Sequence, residues 1–327
     1  MNFEKKLTII VPTYNHSEYI DYYLSQMECI DNMNVLLEIH DSSTNDDTKK
    51  VVETYQTHIS NLKYYRYSDI NVDVKTILAL QKCNTEYAFL CGDGVIFNIE
   101  KCGERVLSAI TSKYDVIELY DEATPKHYNY YNALEKKYKK QDIIYDDIKT
   151  HFVENIWHMP YYGGSIVKVE VFKNASMEQM KQIIGLGFVY PYMIYSFPYK
   201  DYHAIVMGGD FHIRNPHKKM AIWESTQKSG IKIWAKNFPE TINHLPSEYD
   251  SIKERTIILA EKTLGYLTLK GLINLRLIDN YNYKILKQYK EELKKYAACG
   301  LFVQYVIAIT PKFMFRILRK IIKMVRR

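Results

Sequence analysis

Two short apolar runs near the start of the chain each stop abruptly at a cluster of polar residues. The run Leu7–Val11 ends at Pro12–Asn15, and the run Val35–Ile39 ends at His40–Asp47. Continuous apolar runs of this length are typical of buried parallel strands, and Ser17–Cys29 between them predicts a connecting helix. Parallel strands bring their carboxyl ends to one edge of the sheet, where open α/β folds bind ligands. The opening segment therefore predicts a ligand site at these two strand ends.

The residues at these strand ends suit a nucleoside. The sequence has no Gly-x-Gly-x-x-Gly loop and no Walker lysine, which excludes the two common phosphate loops. The ring of Tyr14 can stack on a base, and the Asp41 carboxylate can accept hydrogen bonds from a base or a ribose. Two alternatives stay open, a helix-cap role for Asp41 and a turn or core role for Thr13 and Tyr14.

Together with a third segment, these strand ends resemble the opening of the family 2 glycosyltransferases, which have the GT-A fold. That family begins with a strand and Val-Pro-x-Tyr-Asn, then has a strand that ends in an Asp-x-Ser-Thr-type segment. The matching residues here are Val11, Pro12, Tyr14, Asn15, Asp41, Ser43 and Thr44. The third segment is Tyr87–Ile96, where the family usually carries Asp-x-Asp and this chain has Cys91-Gly92-Asp93. The first carboxylate is therefore missing, and Asp93 stands in the second place.

A looser resemblance covers residues 155–225. Tyr162–Phe172 is similar to the acceptor-side strand and helix start of such enzymes, and Gly185–Tyr190 is similar to a subgroup that includes abequosyltransferase-like enzymes. Many members carry Glu-Asp in the latter segment, with the Asp as general base, whereas this chain has Phe188-Val189. The base therefore cannot be transferred from the family.

The resemblance implies an α/β fold: a Rossmann-like, doubly wound, mostly parallel GT-A sheet with a C-terminal helical appendage. It also implies contacts to a nucleoside-diphosphate sugar, with UDP favoured. The candidate residues are Pro12, Thr13, Tyr14, Asn15, Asp41, Asp73, Gly92, Asp93 and Arg214. Asp93 and His217 are the candidate ligands of a divalent metal, Mn²⁺ or Mg²⁺. One carboxylate can suffice because such ions favour oxygen ligands and Mg²⁺ keeps several waters. A turn role for Asp93 and a solvated or core role for His217 stay open.

Inverting transfer needs a base that removes the proton of the acceptor hydroxyl. His158, just before the acceptor-side segment, and Asp210, after Gly208-Gly209, are the candidate catalytic residues. A purely structural role is open for both.

The charge of the chain is concentrated at its C-terminus. Of the net charge of +6, the segment 312–327 contributes seven basic residues and no acidic one, and its apolar residues repeat at helical spacing. Such a helix suits an anionic membrane interface, where each basic residue contributes roughly 1 kcal/mol. The alternative is a C-terminal helix packed on the protein with a solvated basic face. No recognition module accompanies the charge, so nucleic acid is not expected as a partner.

Further expectations concern organisation and location. We predict a nucleotide-sugar-binding and catalytic domain over 1–219 and a helical region over 220–327, ending in the basic helix 312–327. Asp142–Trp157 is predicted to be helical, and Asp121–Asp146 to cover the site. Five cysteines without metal-site spacing and the absence of a signal peptide favour the cytoplasm, at the inner face of the cell membrane.

The resulting expectation is an inverting, hexosyltransferase-type glycosyltransferase (EC 2.4). It would act on a lipid-linked or glycan acceptor in surface polysaccharide or capsule synthesis. A homo-oligomer is left open as a further partner. The alternative is a catalytically degenerate nucleotide-sugar-binding or scaffold protein on the same fold. A nucleotidyltransferase should carry a Gly-rich loop with Arg and Lys after the first strand, and Pro12–Ser17 has none.

Overall fold

The computed structural model describes residues 5–68, 70–121, 141–218 and 230–325. Of these, the residues up to Lys218 form an N-terminal unit, and those from 230 onward form a C-terminal unit. The predicted domain boundary at 219/220 and most of the predicted covering segment 121–146 lie outside the described residues. These two expectations stay predictions.

The N-terminal unit alternates strands and helices. Its strands are β1 (Leu7–Thr13), β2 (Val35–Asp41), β3 (Leu62–Arg66), β4 (Tyr87–Leu90), β5 (Val95–Phe97), β6 (Val116–Asp121), β7 (Ile143–Tyr145), β8 (Ser165–Lys168), β9 (Ala204–Gly209) and β10 (His212–Arg214). Its helices are α1 (Ser17–Ser25), α2 (Asp47–Tyr55), α3 (Val72–Lys82), α4 (Ile99–Thr111), α5 (Ile148–Asn155), α6 (Glu170–Lys173), α7 (Met177–Met180) and α8 (Val189–Ser196), with a 3-10 turn at Glu28–Asn32.

Eight of these strands form one mixed sheet in the order β3-β2-β1-β4-β8-β6-β9-β7, and β5 pairs with β10 in a separate ribbon. Strands β3, β2, β1 and β4 are mutually parallel, as are β6 and β9, which confirms the predicted doubly wound architecture. Strand β1 is flanked by β2 on one side and β4 on the other. The chain therefore reverses its direction of travel across the sheet at β1, which makes the carboxyl ends of β1 and β4 the topological switch point.

The prediction for Asp142–Trp157 is wrong in its first part. Ile143–Tyr145 is a strand that pairs antiparallel with β9 at the edge of the sheet, and the helix covers only Ile148–Asn155. Asp147 starts this helix, because its carboxylate accepts hydrogen bonds from the backbone N–H groups of Lys149 and Thr150. The β-branched pair Ile143-Ile144 favours a strand just before that cap.

The C-terminal unit is helical, as predicted. It contains a π-helical turn at Lys232–Asn237, a 3-10 turn at Ser247–Tyr249, and the helices α9 (Phe238–Asn243), α10 (Asp250–Leu264), α11 (Leu269–Leu277), α12 (Tyr283–Gln288), α13 (Lys290–Tyr296), α14 (Leu301–Ile309) and α15 (Lys312–Val325). Among the described residues, no single helix is both long and apolar enough to cross a bilayer. Helices α14 and α15 meet that length and composition only when taken together, and they are bent by 100°.

Candidate functional site

Asp93 lies at the switch point, just beyond β4, and its carboxylate is held by the end of β1. The Thr13 hydroxyl donates to Oδ2 of Asp93 at 2.9 Å, and Nδ1 of His16 lies 2.8 Å from the same oxygen. Because both contacts go to Oδ2, they leave Oδ1 for another group. The structure thus brings together Thr13 and Asp93, as predicted, and adds His16.

The loop after β1 is tied to the loop after β2. Asn15 adopts a left-handed backbone conformation with φ of 52°, which asparagine tolerates better than most residues. Its N–H donates to the Ser43 hydroxyl at 2.7 Å, and its Oδ1 accepts a hydrogen bond from the N–H of Thr44 at 2.9 Å. Tyr14 beside it is 52% exposed. Asn15 therefore fixes the loop, and Tyr14 is left with a ring face that can stack on a base.

Asp41 is fully buried, which differs from its predicted role as a direct nucleoside contact. Oδ1 accepts hydrogen bonds from the backbone N–H and the hydroxyl of Ser43, and Oδ2 accepts from Tyr64 at 2.7 Å and from Arg66 at 2.8 Å. Burial, with the bond to Asp41, raises the pKa of Tyr64 to about 12. Arg66 is exposed, so a ligand can reach its guanidinium group directly. Direct contact by Asp41 stays a prediction that requires Arg66 or Tyr64 to move.

Lys75 on α3 is a buried cation beneath the ends of β1 and β2. Its ammonium group donates to the carbonyl of Thr13 at 2.9 Å and to the hydroxyl of Ser42 at 2.8 Å. Burial lowers the pKa of Lys75 to about 8, although the charges of Asp41 and Asp93 oppose the shift. This lysine contributes positive charge behind the strand ends.

Asp73, a predicted nucleotide contact, holds a loop of the N-terminal unit. Its Oδ2 accepts hydrogen bonds from the N–H groups of Gly185 at 2.7 Å and Gly187 at 3.1 Å. The side chain is buried, and this burial raises its pKa. The carboxylate therefore anchors the Gly185–Gly187 loop, and a direct nucleotide contact by Asp73 stays untested.

His217 and Arg214 belong to the segment that follows β9. His217 is partly exposed, with Nδ1 3.8 Å from a Glu18 carboxylate oxygen and its ring edge-on to Tyr22. Between them, Asn215 donates from Nδ2 to the carbonyls of Tyr19 and Asp93. That bond ties the segment to the Asp93 loop. Arg214, at the end of β10, is exposed.

The two base candidates lie in different surroundings. His158 is buried, with Nδ1 3.9 Å from Oε1 of Glu118, and it packs beside Trp157. Asp210 is exposed and forms an ion pair with Lys101 at the start of α4, at 2.8 Å. Neither environment by itself identifies a base, so both assignments stay predictions.

The Cys91-Gly92 pair determines how a ligand can approach Asp93. Cys91 is a buried neutral filler, since its thiol donates to the Val95 carbonyl at 3.0 Å and burial raises its pKa to about 12. A methyl group on Gly92 would lie 3.6 Å from Cβ of Tyr162, an ordinary contact. Packing of the protein therefore does not require glycine at 92, and the expected reason for it is close approach of a ligand.

The donor atoms here fit a divalent ion that takes few ligands from the protein. The described residues contain no group of three or more His, Cys, Asp and Glu side chains positioned for a metal. Oδ1 of Asp93 supplies one hard oxygen, and His217 lies on the adjoining segment. Such a site suits Mg²⁺ or Mn²⁺ bound mainly through phosphate oxygens and water.

His16, Lys75 and Arg66 are functional candidates that the sequence reasoning missed. His16 had a usable signal, because it lies in the same post-strand loop as Thr13 and Asn15. Lys75 had one too, since it interrupts the apolar face of α3. Arg66 is the last residue of an edge strand, and no sequence motif distinguishes it.

Comparisons of sequence give limited coverage. No family model matches the chain. An uncharacterized protein, R699, of Acanthamoeba polyphaga mimivirus is 20% identical over 171 residues, which cover 51% of this chain and 35% of that protein. An uncharacterized glycosyltransferase, the MG025 homolog of Mycoplasma pneumoniae, is 41% identical over 68 residues, or 20% of this chain and 22% of that protein. The chain thus matches about a third or less of the length of these curated relatives.

Comparison of structures shows the fold. TarS of S. aureus (residues 1–349) superimposes with a TM-score of 0.57 at 12% identity, covering 95% of this chain and 91% of that one. The same protein in complex with UDP-GlcNAc gives a TM-score of 0.58 at 14% identity, with 88% and 81% covered. The chain shares the fold of these structures, which confirms the predicted GT-A fold class.

Proposed function

We propose that this chain is a glycosyltransferase that takes its sugar from a nucleoside-diphosphate donor, with a UDP-sugar favoured. The observation that carries the proposal is the Asp93 carboxylate at the β1–β4 switch point, held through one oxygen by Thr13 and His16. Open α/β sheets bind nucleotides at this point. The likeness to a fold that binds UDP-GlcNAc in TarS supports the same donor class.

In this proposal each part of the site has a separate task. Tyr14 stacks on the base, and Arg66 with Tyr64 meets the base or ribose beside the buried Asp41. Gly92 lets the backbone approach the diphosphate, and Arg214 adds positive charge from the exposed end of β10. The positive charge of Lys75, beneath the strand ends, compensates part of the negative charge of the carboxylates. Lys75 is not expected to touch the donor.

A divalent ion, Mn²⁺ or Mg²⁺, would be held by Oδ1 of Asp93, with His217 as a second ligand. When bound, such an ion neutralises the charge of the departing diphosphate. His16 and Thr13 orient the Asp93 carboxylate by fixing its other oxygen.

The finer features of the reaction belong to the same proposal. We expect transfer with inversion to a lipid-linked or glycan acceptor in surface polysaccharide or capsule synthesis, with His158 or Asp210 as base. We also expect peripheral attachment to an anionic membrane at the cytoplasmic face. The charge of segment 312–327 supports this location, because it would bring the enzyme to a lipid carrier.

A second candidate, a nucleotide-sugar-binding or scaffold protein without turnover, has specific observations in its favour. Cys91 replaces a carboxylate and is buried, and Phe188-Val189 replace Glu-Asp and are both buried apolar residues. Neither Cys91 nor Phe188-Val189 supplies the carboxylate that a general base or a hard metal ion would use at these positions.

The decisive experiment measures release of nucleoside diphosphate from a panel of sugar nucleotides with Mn²⁺. We expect slow donor hydrolysis that falls by about a hundredfold or more in Asp93→Asn, the scale of losing one preorganised electrostatic group. The matched control is Asp142→Asn, which removes a carboxylate that pairs with Arg105. Calorimetric donor binding without any turnover, with acceptor extracts present, would favour the scaffold, and pyrophosphate release would indicate a nucleotidyltransferase.

A further inference from the structure

Helix α14 presents an apolar stripe to solvent that the sequence reasoning did not single out. Phe302, Tyr305, Val306 and Ile309 recur at the i, i+3, i+4, i+7 spacing of one helix face, and all are exposed. Within the described part of the chain, Phe302 is the most exposed large apolar side chain, at 79%. A contiguous stripe of this kind marks an interaction surface.

The orientation of α14 is fixed from its inner side. Gln304, Ile307 and Ala308 are buried, and the Gln304 side-chain amide donates to the carbonyls of Leu293 and Cys299. Rolling the helix to bury the Phe302 stripe would expose these groups and break both bonds. The outer stripe is therefore a property of the folded unit.

Helix α15 shows the same arrangement. Phe315 is buried, Lys312 pairs with Asp279 at 2.6 Å, and Arg319 contacts Asn274. One side of the helix therefore packs on the C-terminal unit. The exposed apolar residues of this helix are Phe313, Met314, Ile317, Leu318, Ile321 and Met324. The apolar face is thus turned away from the unit on which the helix packs, unlike in a C-terminal helix that buries its apolar face.

We infer that α14 and α15 together form a monotopic membrane element, in which uncharged α14 enters the headgroup–acyl boundary and basic α15 lies at the anionic surface. Helix α14 has no charged residue, whereas 312–327 carries seven basic residues and no acidic one. A second copy of the chain fits this surface poorly, because pairing would bring the two sets of basic residues together. The inference rests on the proposed membrane attachment and extends it from the tail to a second helix.

The first test locates α14 relative to a bilayer. The fluorescence of the introduced tryptophan in Phe302→Trp is obtained by subtracting the emission of the unaltered chain. Addition of phosphatidylcholine–phosphatidylglycerol vesicles should shift this emission to the blue, and brominated lipids should quench it. The control Leu269→Trp, at an exposed position in the first turn of α11, should show neither effect. Vesicle binding with no blue shift in Phe302→Trp would overturn the inference and leave α15 as the sole contact.

The second test separates apolar insertion from charge attraction. Vesicle partitioning is measured at high salt, where the screening length falls to about 3 Å. The double variant Phe302→Ser with Ile309→Ser should partition at least about tenfold more weakly than the unaltered chain, because it removes apolar area. The control Leu269→Ser should lose little. If the double variant instead abolishes a concentration-dependent self-association of the unaltered chain and keeps its vesicle binding, the stripe is a dimer interface and the inference fails. Donor hydrolysis without vesicles should be unchanged in every variant, so failure here is distinguishable from failure of the proposed activity.

Discussion

Single residues at the switch point divide into those that can meet a ligand and those that support them. Asp93 keeps one oxygen uncommitted by Thr13 and His16, and Tyr14 keeps an exposed ring. Asp41 and Asp73 are buried and give their oxygens to the protein itself. Sequence reasoning identified all four residues but could not separate these roles, because burial depends on what later segments place over a strand end.

Lys75 should leave a signature in the pH dependence of stability. Above its folded pKa of about 8 the folded chain has lost this proton, whereas the unfolded lysine keeps it to about 10.4. The unfolded state then binds more protons, so the contribution of Lys75 to the free energy of unfolding rises with pH between about 8 and 10, by up to about 3 kcal/mol.

We expect Lys75→Met to remove this rise while keeping the buried aliphatic stem. Between pH 8 and 10 the unaltered chain should gain up to about 1.4 kcal/mol per pH unit relative to the variant, measured by urea unfolding. Lys63→Met, at an exposed position of β3, should follow the unaltered chain. Parallel profiles for Lys75→Met and the unaltered chain would show that the ammonium group is not buried as described.

At the scale of elements, the predictions that succeeded rest on strong local patterns. The apolar runs of β1 and β2 are buried strands, and the described part of the predicted helical region 220–327 is helical. The failures lie where a short pattern depends on a distant partner. Ile143–Tyr145 is a strand only because β9 offers it an edge, and the β5–β10 ribbon joins segments far apart in sequence.

The Gly185–Gly187 loop supports a prediction about backbone conformation. Gly187 has a φ of +85°, and a methyl group there would meet no atom within 4 Å, so only the conformation opposes a side chain. Gly187→Ala should therefore destabilise the fold by about 1–2 kcal/mol in urea unfolding. Gly300→Ala is the matched control, since that site is equally open and has no positive φ, and it should change stability by about 0.5 kcal/mol or less. Equal losses in the two variants would contradict this explanation.

At the scale of the whole molecule, the proposed donor site and the proposed membrane attachment belong to different units. The candidate site uses residues of the N-terminal unit, and the basic and apolar helices belong to the C-terminal unit. The sequence indicated both through separate signals, strand-end motifs for one and charge with helical period for the other. It missed α14 as a surface element, because an uncharged apolar helix has the pattern of a core helix until its exposed side is known.

Neutralising the basic face of α15 should therefore affect recruitment and leave donor hydrolysis in solution unchanged. Arg316→Gln with Arg319→Gln removes two charges, each contributing about 1 kcal/mol at an anionic surface, so binding to phosphatidylglycerol-containing vesicles should weaken by about thirtyfold at low salt. The same pair should weaken binding far less at high salt, where the remaining attraction is apolar. The control pair Lys63→Gln with Lys113→Gln removes the same charge from exposed positions of the N-terminal unit and should leave vesicle binding within about twofold. Vesicle sedimentation measures both, and an equal loss in the two pairs would mean that net charge, and not this helix, attracts the chain to the membrane.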